Sequence, residues 1–71
     1  MTNNPEIDSN GTKRWYNSKR QLHRDDGGPA IEWNDGKKWW YQNGLLHRED
    51  GPAVEYPDGK KWWYIEGKQI I

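Results

Sequence analysis

Polar and apolar residues alternate along this chain in short runs, and no window of about ten residues carries the stripe of a helix. Lys37-Lys38-Trp39-Trp40-Tyr41 is rich in residues that fit a pleated surface. Gln42-Asn43-Gly44 follows, and Asn-Gly is a strong signal for a two-residue hairpin turn. Leu45 to His47 is then the return strand. Glu49-Asp50-Gly51-Pro52 breaks it, because proline cannot donate to a ladder and glycine accepts positive φ. Ala53 to Tyr56 is the next strand, Pro57-Asp58-Gly59 the next turn, and Lys60 to Tyr64 the strand after it. Glu66-Gly67 turns again into Lys68 to Ile71. The N-terminal half repeats the scheme over Thr12 to Tyr16, Arg20 to His23 and Ala30 to Trp33. The expected fold is all-β, an antiparallel meander of seven or eight short strands. Met1 to Ser9 is polar and aperiodic and reads as a flexible or loosely docked arm, residues 1–9, before a single domain over residues 10–71.

The elements recur because the residues recur. Gly36-Lys37-Lys38-Trp39-Trp40-Tyr41 returns as Gly59-Lys60-Lys61-Trp62-Trp63-Tyr64, and Gly11-Thr12-Lys13-Arg14-Trp15-Tyr16 is a looser copy. Between them Leu22-His23-Arg24-Asp25-Asp26-Gly27-Gly28-Pro29-Ala30 is matched by Leu46-His47-Arg48-Glu49-Asp50-Gly51-Pro52-Ala53, with Gly28 read as the extra residue. A period in the low twenties means one supersecondary unit stacked on itself, here two full copies and a truncated third.

Alternation along each strand puts Lys13 with Trp15, Lys38 with Trp40 and Lys61 with Trp63 on one face. Arg14 with Tyr16, Trp39 with Tyr41 and Trp62 with Tyr64 share the other. Trp15, Trp40 and Trp63 are the expected core, because tryptophan holds that place in all three copies. The varied row, Arg14, Trp39 and Trp62, suits a surface.

Composition narrows the function classes. Aliphatic residues are scarce, and six Trp and four Tyr stand in for them. Each can bury about 150–250 Å², which makes a thin core from few residues. Net charge is zero, so no global field draws in long nucleic acid. There is no cysteine, which excludes disulfides and thiolate chemistry and fits a cytoplasmic setting. No apolar run approaches the roughly 20 residues of a membrane span.

The Asn43-Gly44 turn, the Tyr56-Pro57-Asp58-Gly59 link, and Leu46-His47-Arg48-Glu49-Asp50-Gly51-Pro52-Ala53 with Lys38-Trp39-Trp40-Tyr41 together resemble a MORN repeat, in the variant form common in bacteriophage and some bacterial proteins. The resemblance covers Asn10 to Ile71. It implies a β-meander that binds proteins, or in some cases lipids, and is not itself catalytic. It also suggests a phage-type accessory or counter-defence role. The last copy departs from the pattern: Gly67-Lys68-Gln69-Ile70-Ile71 replaces the His-Arg pair with two isoleucines. A bare apolar edge strand templates pairing, so Gln69, Ile70 and Ile71 are the expected homo-oligomer contact.

Three sets of residues could carry chemistry. His23 and His47 lie three residues before Asp26 and Asp50. No nucleophile recurs beside them, so they read as structural, tying down the Gly-Pro loop. Two histidines without a ligand spacing give no metal site, and no cofactor is implied. Glu32 and Glu55 hold equivalent strand positions, but paired carboxylates for hydrolysis need a deep cleft that a short meander does not offer, and they read as cross-strand partners of lysine. The third set is Trp39, Tyr41, Trp62 and Tyr64, flanked by Lys37, Lys60, Arg24 and Arg48. Flat rings stack on bases and cations meet phosphate, which would suit sequestration of a nucleotide-like signal. The same residue types dominate protein interfaces, so docking on a protein is the alternative. The plain reading is that these rings only cover the second sheet face.

Overall fold

Each expected five-residue strand is bent in two at its tryptophan. The structure is a computed structural model that describes residues 4–70. Its strands are β1 (Glu6–Ile7), β2 (Lys13–Arg14), β3 (Ile31–Glu32), β4 (Lys38–Trp39), β5 (Tyr41–Gln42), β6 (Leu45–Leu46), β7 (Val54–Glu55), β8 (Lys61–Trp62), β9 (Tyr64–Ile65) and β10 (Lys68–Gln69). No helix occurs among the described residues. The main sheet has the order β1-β2-β3-β4-β7-β8, antiparallel throughout. Two separate ribbons, β5–β6 and β9–β10, complete the all-β fold, and a Tyr16–Leu22 bridge marks the first copy's equivalent ribbon.

The bend follows from where the corner residue sends its backbone groups. Trp40 donates its N–H to the Ala53 carbonyl at 2.7 Å, across the main sheet. Its own carbonyl accepts from the His47 N–H at 3.0 Å, inside the ribbon. Trp15 does the same with Ala30 and His23, and the Trp63 carbonyl accepts from Ile70. One residue thus serves two sheets, and the strand cannot stay straight through it. This corrects the expected single strands over Lys37 to Tyr41 and Lys60 to Tyr64. The ribbons also bond to each other: Gly44 N–H to the Leu22 carbonyl, Gly67 N–H to the Leu46 carbonyl.

Two further expectations change. The segment read as an arm carries β1, which pairs with β2 through Glu6–Arg14 and Ile7–Lys13; Met1 to Asn3 lie outside the described residues. An ion pair from Arg20 to Glu6 fastens it. At the other end β10 stops at Gln69, and Ile71 lies outside the described residues.

Register sorts the main sheet into two rows. Arg14, Ile31, Trp39, Val54 and Trp62 are successive partners on one face. Lys13, Glu32, Lys38, Glu55 and Lys61 are partners on the other, alternating in sign at each step. Opposite charges facing each other contribute about 0.2–1 kcal/mol per pair, so this row fixes register more than it supplies stability. The buried hydrophobic residues are Trp15, Ala30, Ile31, Trp40, Ala53 and Val54, with Thr12 and Pro29 buried beside them. Trp15 and Trp40 are 7% and 8% exposed, while Trp63 is half-buried. The expected tryptophan core is therefore complete in two copies and open in the third.

Candidate functional site

Arg24 and Arg48 are latches over the corner tryptophans. The Arg24 guanidinium carbon lies 3.8 Å from the Trp15 ring centroid, and that of Arg48 lies 3.9 Å from Trp40. Arg48 Nε donates to Asp50 at 3.0 Å, and its Nη1 donates to the Pro52 carbonyl and to Glu55, each at 3.1 Å. Arg24 makes the same bonds to Asp26, the Pro29 carbonyl and Glu32. The Asp26 carboxyl is held below its ordinary pKa by the Arg24 guanidinium and the Gly28 N–H. It is therefore the arginines, not the histidines, that tie down the Gly-Pro loops.

The histidines clasp ribbon to ribbon. His23 Nδ1 accepts the backbone N–H of Asn43 at 3.0 Å, and His47 Nδ1 accepts that of Glu66 at 2.9 Å. An accepting Nδ1 puts the proton on Nε2, which faces Asp25 in the first copy and Glu49 in the second. The carboxylate partner is thus two residues on, not the expected Asp26 or Asp50, which Arg24 and Arg48 take instead.

The loop also corrects which glycine is extra. Gly28 and Gly51 both lie under the latching arginine: a Cβ would sit 2.6 Å from Arg24 Cζ and 3.0 Å from Arg48 Cζ. They are equivalent, so the inserted residue is Gly27, which holds a φ of 87°. Its carbonyl accepts the indole N–H of Trp40 at 3.0 Å.

The aromatic cleft lies elsewhere. Trp39, Trp62, Val54, Tyr56, Tyr64, Leu46 and Gln69 line an open cleft of about 210 Å³. Its rings are braced edge to face, Trp33 on Trp39 at 5.1 Å and Tyr56 on Trp62 at 5.3 Å. The first copy places an Asp8–Arg14 ion pair at 3.0 Å in the equivalent position. The indole N–H of Trp39 is buried and has no acceptor among the described residues. A buried unpaired donor costs about 1–3 kcal/mol, so this group lowers stability rather than adding to it.

The predicted site residues therefore do not converge. Trp39, Trp62 and Tyr64 share the aromatic cleft. Tyr41 lies outside it, opposite Leu46, where burial pushes its hydroxyl above the ordinary pKa. Arg24 and Arg48 line a different cleft of about 350 Å³ with Trp40, His47, Glu49 and Asp50. Lys37 lies over Trp33 at 4.9 Å and within 3.8 Å of Asp35, and Lys60 lies 3.7 Å from Asp58. Residues that the sequence reading missed, Val54, Tyr56, Leu46 and Gln69, complete the aromatic cleft. Trp33 and Tyr56 precede equivalent turns 23 positions apart, and that repeat was the available signal.

Among the described residues no three His, Cys, Asp or Glu side chains gather as a metal site. No helix among them is long and apolar enough to cross a membrane. No family model matches the chain, and no curated protein or solved structure matches it.

Proposed function

We propose that this chain is a small non-enzymatic binding protein whose aromatic cleft takes an apolar side chain of a protein partner. The observation that carries the reading is the Trp39 indole N–H, buried without an acceptor at a cleft lined by Trp62, Tyr64 and Val54. A partner side chain would fill the cleft while Trp39 turns enough to bring its N–H, inaccessible in the free chain, to an adjacent backbone carbonyl. Tryptophan and tyrosine anchors of this kind dominate interface energetics.

Nucleotide sequestration needs a free ring face and a cation in one place. The aromatic cleft offers rings without a lining cation, while the arginine cleft offers cations whose indole face Arg48 already covers. Protein docking is thus the better supported of the two. The MORN-like resemblance adds the setting: a phage-type accessory or counter-defence protein acting in the host cytoplasm, and self-association through Gln69 to Ile71. Ile70, 55% exposed beside the edge strand β10, supports that contact.

Trp39→Phe tests the reading, because it removes the unpaired N–H and keeps a ring. The variant should unfold no earlier than the parent, yet lose at least about tenfold in affinity for a protein captured by the parent. Unchanged capture by both Trp39→Phe and Trp62→Ala would remove the cleft from consideration. Quenching of tryptophan fluorescence by mono-, di- or cyclic nucleotides would restore sequestration.

A further inference from the structure

The outer edge of β8 repeats an edge that is occupied twice inside the same molecule. At β2, Trp15 donates its N–H to the Ala30 carbonyl at 2.8 Å, Arg14 faces Ile31 and Lys13 faces Glu32. At β4, Trp40 donates to Ala53 at 2.7 Å, Trp39 faces Val54 and Lys38 faces Glu55. The occupant is Pro29-Ala30-Ile31-Glu32 in one case and Pro52-Ala53-Val54-Glu55 in the other. Each arrives with an arginine that covers the corner tryptophan.

β8 and its corner present Lys61, Trp62 and Trp63 in the order of Lys38, Trp39 and Trp40, with Arg14 in the middle place at β2. Among the described residues β8 pairs with β7 alone. In an antiparallel strand every second residue sends both its N–H and C=O to one side. The Trp40 bond to Ala53 shows that the Lys38 and Trp40 positions face the following strand. Lys61 and Trp63 therefore point their donors outward, and among the described residues nothing accepts the Trp63 N–H or covers its ring with an arginine.

We infer that the β8 edge is a strand-addition site for an extended segment of a partner protein with the pattern small residue, β-branched residue, glutamate. The glutamate answers Lys61, the β-branched side chain lies beside Trp62, and the small residue's carbonyl accepts the Trp63 N–H. Main-chain bonds hold such a segment and alternate side chains select it. A second copy stacking head to tail does not fit. The free strand at the other end, β1, offers Glu6-Ile7, which puts the charge in the apolar row and isoleucine opposite lysine. This inference shares Trp62 with the aromatic-cleft reading but rests on the backbone of Lys61 and Trp63, so protection of those two amides tests it separately.

The probe is a capped octapeptide, Arg-Glu-Asp-Gly-Pro-Ala-Val-Glu, titrated into the full chain and followed by amide NMR. Expected are shifts and slowed exchange at the Lys61 and Trp63 amides. Affinity should fall about five- to tenfold when the peptide's last residue is lysine, and binding should vanish when that residue's nitrogen is methylated. No response at Lys61 and Trp63 up to about 1 mM peptide would overturn the inference. So would amides already protected without peptide in a dimer, or equal binding of the N-methylated peptide.

Discussion

Arg48 covers the ring of Trp40, its guanidinium carbon 3.9 Å from the centroid, while its Nη1 holds Glu55 and the Pro52 carbonyl at 3.1 Å. One side chain thereby joins the corner, the Gly-Pro loop and the sheet. A lysine has the charge but not the flat fork. Arg48→Lys should lose about 1–3 kcal/mol of stability, and Arg48→Ala at least as much, read from urea denaturation. A loss below about 0.5 kcal/mol would place the pair with ordinary surface ion pairs.

Gly28 has no room for a Cβ while Arg24 is latched, since the nearest guanidinium atom would be 2.6 Å away. Gly28→Ala should cost about 1–2 kcal/mol in the parent and much less in an Arg24→Ala background. The double-mutant cycle isolates the clash. Equal costs in both backgrounds would mean that the loop backbone, not the arginine, requires glycine.

Glu66 stands at φ 48° before Gly67 at φ 82°, the place that Asn43 holds at φ 51° before Gly44. A two-residue hairpin needs positive φ at both positions, and asparagine tolerates it better than glutamate. Glu66→Asn should stabilise by about 0.5–1 kcal/mol, seen as a higher melting temperature. The N–H given to His47 is backbone and survives the change.

Three carboxylates titrate below their ordinary values in the folded chain. Glu6 is lowered by its bond to Arg20, Asp8 by its bond to Arg14 and Asp26 by its bond to Arg24. A depressed pKa means the unfolded chain takes up protons first. The stability they contribute is full above their ordinary values of 4.5 and 3.8 and is lost as pH falls through the lower folded values. Denaturation midpoints should be level above about pH 5 and decline steadily below about pH 4. Arg14→Gln should reduce the acid-side slope, and an unchanged slope would dismiss the Asp8 pair.

The all-β antiparallel class, the Asn43-Gly44 and Glu66-Gly67 turns and the burial of Trp15 and Trp40 were legible because each rests on local residue choice, whereas the pairing of β4 with β7, past the β5–β6 ribbon, was not. Nor was the corner. Its cause is a bond from Trp40 to Ala53, and alternation of Lys38-Trp39-Trp40-Tyr41 reads the same for a straight strand as for a bent one. Nor could the sequence separate Arg24 and Arg48 from the rings of Trp39 and Trp62. Adjacent tryptophans face different clefts, and a latched arginine has the same letter as a free one. The inserted glycine was misplaced for a similar reason: Gly27 and Gly28 are identical until one is found beneath a guanidinium.

Because His47 holds the Glu66 N–H and Trp40 holds Ala53, each unit is completed only by the one that follows it. Growth of such a chain by duplication of a 23-residue cassette would bring every fastening along in step. Single residues enter at loops and turns between fastenings, as Gly27 does and as the longer Tyr16–Leu22 turn does beside Tyr41–Leu46. The chain can lengthen by whole verses, and by single words only at the line breaks.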